Sequence, residues 1–424
     1  MPFDFSKDLI LRWPDPDPAH VPLLKSAAIS AVLPSGGTAQ FAEACSAAGM
    51  ATLAASDLHF LPLSDLGSAQ PGQPVALTTG LWPGIRRPPS VAGRGDETAS
   101  ASREPWVDSN GYLIGYLRAL YPNRPPVLGY LPDQLGDRAV PFDSLELALI
   151  EAWTAGGNYV LAVEDNYLKA LLRKEAKAVA AWEQLGRTAR WLRENIALFR
   201  QQPLPIVTAL VEPGAATAEI GNLLYRRNAS PLLVSAAALP SPDPQLRLAL
   251  VAANLRQPEP AIVKRILAHA DAGSTVIVAT TLAQPWWRAS AMQPVRSEPD
   301  REFYALGKGR VVAYRKPVAD PSEFALDVID IITHPRRAVR VWNGPAVVAL
   351  ASGSPRRGER LLHLVNYGSP IDTDLQARVQ GNFAKATLLR PDGSPVALPT
   401  AKRGTTTEVL VPEVKRLGVV VFSS

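Results

Sequence analysis

Through the first two hundred residues, short apolar runs alternate with stretches of helical periodicity. Runs at 8–13, 29–34, 51–57, 74–80, 126–132 and 159–165 have the length and composition of buried strands. Between them, 38–48, 106–120 and 144–155 repeat apolar residues at three and four, and a further helical run begins near Tyr167. That rhythm predicts parallel βαβ units. A full eight-stranded barrel takes about 250 residues, so the expected fold is a TIM-like (β/α) barrel that lacks or shrinks a unit. Small polar residues at 98–102 make a weak further strand.

A proline-bearing break at 202–205 ends this region and a second α/β set follows. Strands are expected at 206–211, 232–235, 246–252 and 274–280, helices at 218–227 and 261–270, and a hairpin at 303–314 about Gly307-Lys308-Gly309. After a helix at 321–332, short strands at 339–342, 346–351, 360–366, 374–379, 385–390, 406–411 and 418–422 alternate with Gly, Pro and Asp turns. Their spacing predicts an antiparallel β-sandwich. The expected domains are 1–202, 203–334 and 335–424.

Composition narrows the function. Lys and Arg number 44 against 39 Asp and Glu, and the cations are scattered along the chain, so no basic stripe with interleaved aromatics points to nucleic acid. One cysteine, Cys45, and five scattered histidines make neither a disulfide nor a zinc cluster, so no metal or cofactor is expected. No apolar run reaches the twenty or so residues of a membrane span, and the first residues have no signal-peptide pattern. The chain reads as cytoplasmic as it stands, or as secreted or periplasmic had a leader been removed. Asn228-Ala229-Ser230 fits the N-glycosylation triplet and is read as coincidence.

The candidate chemistry centres on residues 157–165, a buried strand ending in Glu164-Asp165. Ligands in α/β folds bind at the carboxyl ends of strands, although Asp165 equally suits a cap of the next helix. Asp57 ends another run and equally suits a turn. In the loop Ser102-Arg103-Glu104-Pro105-Trp106-Val107-Asp108-Ser109-Asn110, charge, an indole and an amide precede a helix; Glu104 and Asp108 are divided between helix capping and a sugar site. Trp13 ends the first strand. Trp82 lies with Arg86 on a Pro/Gly-rich loop.

The order of barrel, α/β domain and sandwich resembles the multidomain glycoside hydrolases related to the family 42 β-galactosidases. The segment Leu250-Val251-Ala252-Ala253-Asn254-Leu255 with Thr275-Val276-Ile277-Val278, and the glycine hairpin at 307–312, resemble that family's amidotransferase-like, flavodoxin-type middle domain. Leu362-His363-Leu364-Val365-Asn366-Tyr367-Gly368 and Leu389-Arg390-Pro391-Asp392-Gly393 resemble its C-terminal sandwich. The resemblance implies a glycoside hydrolase acting on an oligo- or polysaccharide, and a middle domain that serves packing and assembly, including a homo-oligomer. The family's general acid follows Asn at the end of the fourth strand. No Asn-Glu pair occurs in residues 1–193, and the run at 74–80, fourth in this reading, ends in Thr78-Thr79-Gly80.

Glycoside hydrolysis uses two carboxyls, about 5–5.5 Å apart for retention and about 6.5–9.5 Å for inversion. Glu164, Glu104 and Asp57 are the candidate catalytic acids. Trp13, Trp82, Arg86, Arg103, Trp106, Asp108, Asn110 and Asp165 are the candidate substrate contacts. A carbohydrate-binding or assembly protein that kept the architecture and lost the acid is the alternative, and in either case the expected partner is carbohydrate, with neither nucleic acid nor membrane.

Overall fold

The computed structural model describes residues 3–69, 72, 74–80, 82–85, 107–129, 140–279, 285–288, 292–316, 318, 321–332, 336–353, 358–371, 373 and 375–424. The first sheet contains β1 (Ile10–Trp13), β2 (Ala31–Pro34), β3 (Ala51–Thr52), β4 (His59–Leu61), β5 (Val75–Leu77), β8 (Val127–Gly129) and β9 (Asn158–Ala162). A two-stranded ribbon, β6 (Gly84–Ile85) and β7 (Val107–Asp108), lies between β5 and β8 in the chain.

All pairings in the first sheet are parallel, in the order β3-β2-β1-β9-β8-β5-β4. Because β9 pairs with β1, the strands follow one another round a ring, open between β3 and β4. The sheet curls. Arg12 of β1 and Phe60 of β4 stand four strand positions apart, about 19 Å in a flat sheet, yet the guanidinium lies 5.0 Å from the centre of the ring.

Strand alternation sorts the side chains. Ile10, Ala76, Val127 and Val160 fill the inside of the curl, whereas Leu9, Leu11, Trp13, Tyr159, Leu161 and Val163 face the helices. Those helices are α1 (Val21–Ser26), α2 (Ala39–Ala47), α3 (Gly111–Leu120), α4 (Ser144–Thr154), α5 (Asp165–Leu172) and α6 (Ala176–Glu194). α4 stops at a Schellman turn: Gly157 N–H donates to the Ala152 carbonyl and Gly156 sits at φ +85°. Arg118 of α3 donates to the Ala155 and Gly156 carbonyls, which starts β9 at a fixed point.

Three details depart from the sequence reading. β4 makes the run at 74–80 the fifth strand. The expected helix from 106 begins at Gly111, after β7. The helical run from Tyr167 breaks at Lys174, which takes φ +56° and separates α5 from α6.

The second sheet has the order β11-β10-β12-β13-β16-β15-β14. Its strands are β10 (Val207–Val211), β11 (Leu232–Ser235), β12 (Ala249–Ala253), β13 (Thr275–Ala279), β14 (Pro294–Ser297), β15 (Arg301–Leu306) and β16 (Gly309–Tyr314). The five strands from β11 to β16 in that order run parallel, and β15 and β14 add an antiparallel edge. Helices α7 (Ala215–Arg226), α8 (Pro260–Asp271) and α9 (Pro321–Ile331) accompany it.

The remaining strands form two antiparallel sheets. One has β17 (Val339–Trp342), β20 (Leu375–Gln380), β24 (Thr406–Val411) and β23 (Ala401–Arg403) in that order. The other has β18 (Val347–Ser352), β19 (Arg360–Asn366), β25 (Leu417–Ser423), β21 (Lys385–Arg390) and β22 (Gly393–Leu398).

The units share cores. Val348, Leu350, Val365, Tyr367, Leu417 and Val419 of the second of these sheets and its flanking loops belong to the same buried cluster as the helix-facing side of the barrel. Tyr116 of α3 belongs to the core of the middle sheet. The outer edge of β18 is held by a short backbone bridge at Pro203 and Leu204 and by side chains. The Asn228 amide donates to the Val347 carbonyl and accepts from Ala349 N–H, and Ser230 Oγ accepts from Ala351 N–H.

Candidate active site

β9 is buried along its length because Tyr159 and Leu161 face α4 and α6 while Val160 faces the interior of the curl. Glu164 follows β9 by two residues with extended backbone (φ −79°, ψ 161°), at the N-cap position of α5, and its carboxyl is engaged by the Asn166 side chain and the Tyr167 backbone N–H. Its pKa is raised. Partial burial is the largest cause, followed by opposing stabilisation from Asn166, with the adjacent Asp165 charge raising it further. Asp165 itself is exposed in the first turn of α5, where a carboxylate favours the helix dipole.

The other candidates are not drawn to this rim together. Asp57 is exposed, and its carboxylate accepts the Ala54 amide at 2.7 Å, closing the turn between β3 and β4. Trp13 is fully buried on the helix side, its ring 6.2 Å from those of Trp182 and His20. Its position at a strand end suggested a sugar platform; the alternation of β1 turns it into the core instead. Trp82 is half-buried and packs against the same core. Arg86, Arg103, Glu104 and Trp106 lie outside the described residues.

Asp108 and Asn110 belong to a closed polar seam, which removes them from an open sugar cleft. Asp108 stands 3.8 Å from Arg226 of α7, and both are nearly buried. Asn110 donates through its backbone N–H and its amide to the two oxygens of Glu151, at 2.6 and 3.2 Å. Tyr367, from the end of β19, donates to Glu151 Oε1 at 2.5 Å. Glu151 is wholly buried, and desolvation outweighs these three donors and the Gly111 backbone N–H and lifts its pKa to about 7. The seam thus joins α4, the start of α3, α7 and the sandwich. Gly111 is required there, since a Cβ would overlap the Tyr225 ring.

No family model and no curated protein matches the sequence. Solved structures do. The chain superposes on α-L-fucosidase isoenzyme 2 from Paenibacillus thiaminolyticus with TM-score 0.55 and 10% identity, over 91% of this chain and 70% of that one. The architecture is that of a multidomain glycoside hydrolase-like protein. A β-galactosidase from Bacillus circulans sp. alkalophilus superposes with TM-score 0.51 and 10% identity, over 74% of this chain and 57% of the galactosidase. At such identity the likeness carries the fold, and chemistry has to be argued from side chains.

Two polar residues flank Trp13 in the segment Arg12-Trp13-Pro14-Asp15. Arg12 lies on the interior side beside Phe60, and Asp15, just past β1, stands 3.4 Å from His20 Nδ1. Glu151 and Tyr367 carried no local signal, because they meet across 216 positions of sequence.

Proposed function

We propose that the protein is a glycoside hydrolase acting on an oligo- or polysaccharide, with Glu164 as nucleophile or base at the interior rim of the barrel. The observation that supports this is a half-buried carboxyl with a raised pKa just past the carboxyl end of β9, in a chain whose architecture is glycoside hydrolase-like. Glu104 is the proposed proton donor to the leaving oxygen, with Arg12, paired in register with Ala162 of β9, as the neighbour that grips hydroxyls. Catalysis is assigned to residues 1–202, with 203–334 and 335–424 as supporting domains.

Turnover of chromogenic glycosides by wild type, Glu164→Gln and Glu104→Gln tests the assignment. Each variant is expected to lose about two or more orders of magnitude in kcat. A Glu164 acting in its ionised form makes kcat/KM fall on the acid side at a pH above the ordinary carboxylate range. Unchanged turnover in both variants removes the site.

A second reading is a carbohydrate-binding protein on the same architecture. It is supported by the engagement of Asp57 with its own turn and the burial of Trp13. Binding of glycans without turnover on any of them selects it.

A further inference from the structure

Two adjoining clefts on the face where the middle sheet meets the sandwich are walled by cations. The first, about 280 Å³, lies between α7, α9 and β17 and carries Arg226, Arg227, Arg337 and Arg340. The second, about 420 Å³ and open to solvent, lies at the amino ends of β12, β13 and β16 and carries Arg247, Lys308, Arg310 and Arg336. Among the described residues, neither wall contains an Asp or Glu. Arg336 and Arg337 are consecutive, so the chain itself joins the two clefts. Net charge of the whole protein is only +5, and folding has concentrated on one face cations that the sequence spreads over 226–340.

The clustering is electrostatically unfavourable as it stands. Burial, then repulsion from Arg310 and Arg247, lowers the pKa of Arg336; burial, then repulsion from Arg340, lowers that of Arg337. Two carboxylates stand beside the first cleft: Asp108 lies 3.8 Å from Arg226, and Asp330, 77% exposed, lies 3.4 Å from Arg337. Among the described residues, the four cations of the second cleft form no ion pair. Trp342 stands in the first cleft, with Arg340 4.6 Å from its ring centre.

We propose that this face binds the sulfate or carboxylate groups of an acidic polysaccharide strand laid across both clefts. Planar guanidiniums match such oxyanions bidentately, and repeated anionic groups answer cations spread over two clefts better than a single ion does. A single indole among the arginines suits the apolar face of a sugar ring, whereas single-stranded nucleic acid calls for successive stacking rings. The choice of a glycan rests on the glycoside hydrolase reading; recognition of anions does not.

Affinity electrophoresis at constant ionic strength, with dextran sulfate, neutral dextran and a short single-stranded oligonucleotide as probes, tests the proposal. Wild type is compared with Arg336→Gln/Arg337→Gln and with a control, Arg296→Gln/Arg403→Gln, whose cations are exposed elsewhere. Dextran sulfate is expected to retard wild type and the control alike, neutral dextran neither, and the cleft variant is expected to bind about tenfold more weakly. Lys308→Gln, at the exposed tip of the β15–β16 turn, supplies a weaker second test if the double variant does not fold.

Equal loss in the cleft variant and the control overturns the site. Tighter binding of the oligonucleotide than of dextran sulfate overturns the glycan. Turnover of neutral glycosides is read separately, so a silent enzyme with intact dextran sulfate binding sinks only the catalytic reading, and the converse sinks only this one.

Discussion

Glu151 accepts four hydrogen bonds in a fully buried seam and still has its pKa raised from 4.5 to about 7. The folded protein therefore holds a proton that the unfolded chain releases between those values. Stabilisation by the protonated acid is complete below pH 4.5 and is lost as pH rises through the window up to about 7, a change on the order of 3 kcal/mol. Glu151→Gln is expected to flatten the pH dependence of the urea midpoint across that window. An unaltered slope would assign it to other groups. That Glu164 stands just past a strand end was legible in the sequence, because a buried apolar run that stops at two acids marks the end of a strand. The orientation of Trp13 was not: a strand end names a position, and only the register with β9 and the packing of α6 decide which face the ring takes. Asp108 and Asn110 were recognised as unusual, yet their partners lie on α4 and α7, beyond any local pattern.

At the scale of elements, close approach sets the sharpest constraint. α6 passes α1 so closely that a Cβ on Gly186 would stand 2.7 Å from the Ser26 carbonyl oxygen and 2.8 Å from the Ala27 Cα, both backbone atoms. Gly186→Ala should accordingly destabilise the protein by about 1–3 kcal/mol through overpacking, despite the better helix propensity of alanine. A raised urea midpoint would show that α6 has room to shift. Long amphipathic helices and fully apolar strands were legible from periodicity. β4, β14, β22 and β23 were not, since each is short or only half-buried and is defined by the strand it pairs with rather than by its own composition.

The whole molecule is organised by cores that cross from one unit to the next. The helix-facing cluster of the barrel includes residues from β18, β19 and β25, and the linker residue Leu204 belongs to the core of the sandwich. One cooperative unfolding transition is expected for the full chain. A fragment ending at residue 338 should fail to give a monomer with a sharp melt, because the helix-facing cluster of the barrel would lose Val348, Leu350, Val365, Tyr367, Leu417 and Val419. Recovery of such a fragment with a cooperative transition would show that the barrel and middle sheet stand alone.

The Asn228 and Ser230 side chains that hold the edge of β18 also form an Asn-Ala-Ser triplet. In a host whose secretory machinery attaches oligosaccharides to nascent chains, modification would occupy the amide before β18 arrives. Production there should give a heavier, misassembled product, whereas a host without that machinery would yield the native protein.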